Sequence, residues 1–469
     1  MNVVLVSVLI YVALQLAICA FVARRVRSED DYFIAGRRLG PVMAMFSIFA
    51  TWFGAETCIG SAGAVYEEGL AGCTADPFGY CLCLLLMGAF LAAPLWRRKL
   101  VTLGDLIRDR FGISAEKLVV LLIVPTSVIW AAAQIRAFGH ILSASSALNA
   151  EIAITIAAAI VITYTVLGGL LADVITDLIQ GIVLILGLVI VGFAVTRAHG
   201  GVTAAWGLID VHRLNPFGQE GLGILGKLEL WAVPICGSLV AQELVARASA
   251  ARSASVARRS ALFAGAAYFL LGSIPVFIGL LGPAVIPDLE HGEQILPLMA
   301  QRYLPTALYI LFAGALASAI LSTVDSALLS ASSLVSHNIV IPLLPKMDDR
   351  HKVRWARFAT AGFGVIAYLL ALHAESVYHL VEEASAFGSS GVLVTVLFAL
   401  FTRWGGPWTG TATLATGMGS YLLAKHALAL PTPYLVSLGV ALATFLIVAF
   451  AEPRTRDTHD GVELASEST

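Results

Sequence analysis

Adjacent hydroxyls at Ser322 and Thr323 lie inside an otherwise apolar, small-residue stretch, Ala317-Ser-Ala-Ile-Leu-Ser-Thr-Val-Asp-Ser-Ala-Leu-Leu-Ser-Ala-Ser-Ser333. On one helix they offer two neutral oxygens side by side. That suits a hard cation such as sodium if other oxygens complete its shell. Hydroxyl-rich helices also bond back to their own carbonyls, so composition leaves ion ligation and back-bonding both open. Eight ionisable side chains share such apolar surroundings: Glu56, Asp76, Arg136, Asp177, Glu243, Asp325, Glu382 and Glu383. Within a bilayer each is costly and has to face a partner or a water-filled cavity. One could be structural; eight point to a polar pathway.

The elements that hold these groups follow from composition. Of 469 residues, 58% are apolar and 13% charged, with a mean hydropathy of +0.86. A soluble chain is about 45–50% apolar and about 25% charged. With 29 Lys and Arg and 31 Asp and Glu, the chain cannot wet the surfaces of two or three soluble domains. It reads as an all-α polytopic membrane protein. No basic domain or aromatic–basic interleaving suggests nucleic acid. Cys19, Cys58, Cys73, Cys81, Cys83 and Cys236 sit in apolar stretches without a CxxC pair, as buried, inert thiols do. The scattered histidines form neither a nucleophile–base set nor a metal cluster. No enzyme, organic cofactor or obligate protein partner is expected, only a small solute, a coupling ion and lipid.

A bilayer-crossing helix needs about 20 mainly apolar residues. Candidates fall at 2–22, 41–64, 73–95, 116–146, 150–167, 172–196, 228–246, 258–282, 305–338, 356–373, 378–401, 407–425 and 434–451, which makes 13. The first reads as an uncleaved span, because its positive charges, Arg24, Arg25 and Arg27, follow the apolar run. With the N-terminus outside and the C-terminus cytoplasmic, 22 Lys and Arg fall on inside segments and five, Arg197, Arg213, Lys227, Arg302 and Lys425, on outside ones. This follows the positive-inside rule and points to a cytoplasmic (inner) membrane.

Two spans carry signs of interruption. One reads Phe46-Ser-Ile-Phe-Ala-Thr-Trp-Phe-Gly-Ala-Glu-Thr-Cys-Ile-Gly-Ser-Ala-Gly63, the other Trp231-Ala-Val-Pro-Ile-Cys-Gly-Ser-Leu-Val-Ala-Gln-Glu243. They open two five-helix units of opposite orientation. Matched broken helices in two inverted halves mark the central site of a transporter, although small residues also serve close helix packing.

From about residue 28 to 425 the chain resembles the solute:sodium symporters, which share the LeuT-type five-plus-five inverted-repeat fold. The resemblance rests on Asp31-Tyr-Phe-Ile-Ala-Gly-Arg-Arg38, on Tyr164-Thr-Val-Leu-Gly-Gly-Leu-Leu-Ala-Asp-Val-Ile-Thr-Asp-Leu-Ile-Gln180 and on Ala319-x-x-Ser322-Thr323, in this order. Trp130-Ala-Ala-Ala133 and Ser326-Ala-Leu-Leu-Ser-Ala-Ser-Ser333 look most like the choline-transporter branch. It implies an extra N-terminal helix and turn at 1–27, a first repeat at 28–200, an external loop at 201–225 and a second repeat at 226–403. Two peripheral helices at 404–451 and a cytoplasmic tail at 452–469 complete the division.

The resemblance also implies sites. The main sodium site would use the carbonyls of Ala50, Phe53 and Ala319 with the hydroxyls of Ser322 and Thr323. A second would combine Asp177, Ser322, Asp325 and Ser326, with a carboxylate at 325 where some two-sodium members have a hydroxyl. Substrate positions match Trp52, Glu56, Thr57, Asp76, Tyr80, Trp130, Gln134, Arg136, Gln242, Glu243, Glu382 and Glu383. Trp52, Tyr80 and Trp130 match aromatic positions that face a quaternary ammonium in the choline branch, while Ala241 stands where that branch has a third tryptophan. Arg136 either clamps a substrate carboxylate or neutralises Glu56 or Asp76. The expected function is sodium-coupled symport of a small polar solute, an amino acid or other carboxylate or zwitterion in first place. A choline-like cation, a sugar, proton coupling or a non-transporting sensor are the alternatives.

Overall fold

The computed structural model describes residues 3–24, 26–54, 56–144, 148–217, 222–344, 346–373, 386 and 388–452, without the side chains of 3–11, 23, 140, 141, 144, 317, 318 and 321. Among these residues the chain is helical throughout, apart from turns and one isolated bridge pairing Leu39 with Ala251. The principal helices are α1 (Val3–Ala23), α2 (Pro41–Ala50), α3 (Ser61–Glu68), α4 (Tyr80–Leu86), α5 (Leu103–Ala144), α6 (Ala150–Ala198) and α7 (Ile224–Ala232). They continue with α8 (Gln242–Ala250), α9 (Ala254–Val285), α10 (Thr306–Val335), α11 (Asp349–His373), α12 (Ser389–Phe401), α13 (Pro407–Leu422) and α14 (Pro433–Ala451).

Among the described residues, seven helices are long and apolar enough to cross a bilayer, or eight if the pair Ile224–Gly237 and Gln242–Ala250, bent by 42°, is one span. The 13 expected spans differ from this number for physical reasons. Interrupted spans leave shorter apolar pieces, such as Pro41–Ala50 and Ser389–Phe401. Other helical runs exceed one crossing. α6 has 49 residues, about 74 Å at the α-helical rise, against a hydrocarbon core of about 30 Å. Gly169 breaks it at φ 61° and ψ −174°, between the expected spans 150–167 and 172–196. A Cβ at that position would stand 2.6 Å from the Tyr32 ring, so only glycine fits both the backbone and the contact. α5 is broken likewise at Gly112 (φ 82°), just ahead of the expected span at 116.

Local signals set several helix starts. Pro41 occupies the first turn of α2 after an extended Gly40. Asn149 and Ser253 cap α6 and α9 by accepting from the N–H groups of Ile152 and Val256 at 2.8 and 3.2 Å. α10 lies at the centre, packed on α1, α5, α6 and α11, while α9 covers α2, α3 and α4.

Both expected interruptions are present. After α2 the chain turns through Thr51–Gly54 before helical structure resumes at Glu56. After the helical stretch ending at Gly237 it unwinds until α8, with Ala241 extended at φ −63° and ψ 131°. Thr51, Trp52, Phe53, Gly54, Ser238, Leu239 and Val240 are all buried. Unwound backbone at membrane depth is tolerated only under such cover.

Candidate ion and substrate site

The first break faces α10. A Cβ on Gly54 would lie 3.0 Å from Thr323 Oγ1 and 3.5 Å from the Ala319 carbonyl oxygen, so the unwound backbone touches both groups. Thr323 Oγ1 donates to that carbonyl at 3.2 Å, and Ser322 Oγ donates to Asp177 Oδ1. Among the described residues no backbone N–H donates to the carbonyls of Ala50 or Phe53. Unclaimed carbonyls on one side and a hydroxyl and carbonyl on the other are the donor set that a sodium ion takes.

Of the residues expected around a second ion, Asp177, Ser322 and Ser326 lie together. Ser326 Oγ accepts from Arg247 Nη2 and donates to the Ser322 carbonyl at 3.0 Å. Arg247 Nη2 also lies 2.7 Å from Asp173 Oδ2 and 3.7 Å from Asp177 Oδ2, with all three side chains at most 1% exposed. Asp325 turns away to the hydroxyls of Thr165 and Tyr164.

An aromatic group stands above the ion region. The Trp52 and Tyr80 rings are 5.3 Å apart, and Tyr80 and Trp130 are 6.3 Å apart. Trp52 and Trp130 line a cavity of about 50 Å³ that also touches Thr51, Ala241, Glu243 and Thr323. Tyr80 and Glu56 line a second one, of about 230 Å³, that reaches Glu229 and Lys425. Trp52 and Trp130 thus line what is here the inner cavity, which touches both breaks, and Tyr80 lines the other.

The polar residues divide between these spaces and the packing. Glu56 accepts from Tyr80 Oη at 3.4 Å, and its other oxygen is buried without a hydrogen bond. Thr57 Oγ1 donates to Asp76 Oδ2 at 2.7 Å, and Tyr268 Oη donates to the same oxygen at 3.1 Å, leaving Asp76 Oδ1 without a partner. Glu243 accepts from Ser127 Oγ at 2.6 Å. Gln134 is buried, with Oε1 unpaired.

Two expected substrate positions lie elsewhere. Gln242 Oε1 accepts from Leu103 N at 2.8 Å and its amide nitrogen donates to the Val101 carbonyl, so it tethers the segment before α5. Arg136 Nη1 donates to the Ala371 carbonyl at 2.9 Å, tying α5 to α11, and forms no ion pair with Glu56 or Asp76. Its face of α5 is turned to α11, a direction that an all-round apolar helix does not disclose. Glu382 and Glu383 lie outside the described residues.

Tyr268 and Arg247 belong to this polar interior and are not among the expected site residues. Arg247 follows an apolar stretch and so passes for a cytoplasmic charge. The spacing of Asp173 and Asp177, one helical turn apart inside a span, is the signal that calls for a buried cation.

The architecture is that of a multi-pass membrane transporter, and likeness to solved structures bears on that fold. The chain superposes with a TM-score of 0.85 on the substrate-bound outward-open state of a Na+-coupled sialic acid symporter, at 17% identity, covering 95% of this chain and 97% of that one. A nucleobase-cation-symport-1 family transporter in a closed conformation matches with a TM-score of 0.62 at 14% identity, over 91% and 96% of the two chains. A model of the sodium:solute symporter family matches residues 32–404. The chain belongs to that family, whose members and relatives are transporters and not enzymes.

It is similar to the high-affinity choline transporter 1 of Drosophila melanogaster, 27% identical over 400 residues, 80% of this chain and 63% of that protein. The human high affinity choline transporter 1 is 26% identical over 444 residues, 88% and 75% of the two. The sodium/pantothenate symporter of Haemophilus influenzae is 24% identical over 426 residues, 87% of each. The chain thus spans less than two thirds of the fly relative's length.

Proposed function

We propose that the protein is a sodium-coupled symporter that imports a small organic cation by alternating access. The carrying observation is the company of Trp52, Tyr80 and Trp130: Glu56 accepts from Tyr80, Glu243 lines the cavity of Trp52 and Trp130, and no Lys, Arg or His lines that inner cavity among the described residues, although Lys425 lines the one shared by Tyr80 and Glu56. Electron-rich ring faces and carboxylates attract a positive head group. A carboxylate substrate would need a guanidinium or ammonium there, and Arg136, the candidate for that task, bonds Ala371 instead. The choline-transporting relatives support this reading.

Sodium would bind to the carbonyls of Ala50, Phe53 and Ala319 and the hydroxyls of Ser322 and Thr323, tying the break after α2 to α10. Thirteen spans in a five-plus-five inverted repeat, with the N-terminus outside and the C-terminus cytoplasmic, complete the proposal. The asymmetry of positive charge, 21 to five once the buried Arg247 is set aside, supports this orientation.

A thermal-shift screen of the purified chain against quaternary ammonium compounds, amines, amino acids, sugars and carboxylates tests the substrate class. Cationic solutes should stabilise the protein, and more strongly with sodium present. Sodium-dependent stabilisation by carboxylates alone would overturn it.

A further inference from the structure

We propose that the Arg247 guanidinium is the second cation of the ion pathway, a tethered one, so that a transport cycle carries a single sodium ion. The inference rests on the sodium-symport reading and goes beyond it to the stoichiometry.

The guanidinium is fixed on four sides. Its Nε donates to the Ser47 carbonyl of α2 at 3.0 Å, and its Nη1 to the Glu243 carbonyl of α8 at 3.5 Å. Its Nη2 reaches Asp173 of α6 at 2.7 Å and Ser326 of α10. It thereby joins both broken helices to the helices that carry the candidate ion ligands. A guanidinium brings donors and no lone pair. Ser326 Oγ accepts from Nη2, which takes one of its two lone pairs, and its hydroxyl lies 3.0 Å from the Ser322 carbonyl and 3.5 Å from Asp173 Oδ2.

Asp177, the acid that a second sodium would need, has its Oδ2 3.7 Å from the same nitrogen. A sodium ion on that oxygen would sit beside a fixed positive charge in a water-poor interior, where like charges repel strongly. Asp325 is held toward the hydroxyls of Thr165 and Tyr164. Asp177, Ser322, Asp325 and Ser326 therefore do not make a second sodium shell around this arginine. The guanidinium gives Asp173 and Asp177 one fixed positive charge between them, and that charge cannot leave with the substrate.

Counting sodium on the purified full-length protein decides the matter, by equilibrium binding of radioactive sodium together with sodium-dependent thermal stabilisation. One ion per chain and a Hill coefficient of about 1 are expected. Two ions, or clearly sigmoidal stabilisation, overturn the inference and leave sodium symport standing; no bound ion overturns both. Arg247→Met combined with Asp173→Asn removes one charge of each sign and frees Asp177 and Ser326. This variant should bind a second sodium ion; if it folds and still binds one, the guanidinium is not what excludes the second. The wild-type count decides even if the variant does not fold.

Discussion

Gly54 and Thr323, 269 positions apart in sequence, touch: a Cβ on Gly54 would stand 3.0 Å from Thr323 Oγ1. The Ala319 carbonyl lies 3.5 Å from the same point, so any side chain at 54 presses on two proposed sodium ligands at once. Gly54→Ala should raise the sodium concentration for half-maximal stabilisation roughly fivefold, the equivalent of about 1 kcal/mol of overpacking. Unchanged sodium dependence in the folded variant would separate this contact from the ion.

Arg136 ties α5 to α11 through the Ala371 carbonyl. Arg136→Lys should lower the melting temperature and leave substrate affinity unaltered, since neither of the two cavities described includes it among the described residues. A selective loss of carboxylate solutes at normal stability would return the residue to the site.

Trp130 offers its ring to the inner cavity, edge-on to Tyr80 at 74°. Trp130→Leu keeps an apolar wall and removes the ring face, a loss of about 1–2 kcal/mol for a desolvated cation. Affinity for the transported cation should fall roughly 5- to 30-fold, while that for an uncharged isostere stays nearly constant. Equal losses for both would make the tryptophan a shape element only.

Glu452 caps α13 from beyond α14, accepting from the N–H groups of Gly406, Trp408 and Thr409 at 2.9 to 3.0 Å and from the Thr409 hydroxyl at 2.5 Å. Burial pushes its carboxyl up. The Thr409 hydroxyl and the three N–H groups outweigh that and hold it below the usual carboxylate range. A depressed folded-state pKa gives stability that is present above the unfolded value of about 4.3 and is lost as pH falls through the folded value. Glu452→Gln should therefore melt lower than wild type above about pH 5, with the gap closing on acidification. A gap independent of pH would show that charge is not what the cap contributes.

Both breaks were legible because glycine, proline and an acidic residue interrupt stretches whose neighbours are almost wholly apolar, as at Gly54, Glu56, Pro234 and Gly237. The adjacency of Ser322 and Thr323 was equally plain. Depth in a membrane can be read from an apolar run; direction around the helix axis cannot when every face is apolar. Arg136 on α5 and Gln242 at the start of α8 therefore had a level and no azimuth, and each proved to hold neighbouring backbone. Arg247 was hidden for another reason: near the end of a span, a buried ion pair and a cytoplasmic charge look alike until Asp173 is seen beside it. Tyr268 gave no signal, since a tyrosine in an apolar helix becomes part of a polar network only when Thr57 and Asp76 are folded against it.

Sodium-driven uptake by the Ser322→Ala, Thr323→Ala double variant in proteoliposomes tests the proposed coupling most directly. The change removes two of the proposed sodium oxygens at little cost in volume. Sodium and substrate each raise the other's affinity by the same factor if both favour one conformation. The account predicts a rise of about tenfold or more in the sodium concentration for half-maximal uptake, with folding intact and weaker substrate binding at a fixed sodium level. A well-folded double variant whose uptake keeps the wild-type sodium dependence would contradict it.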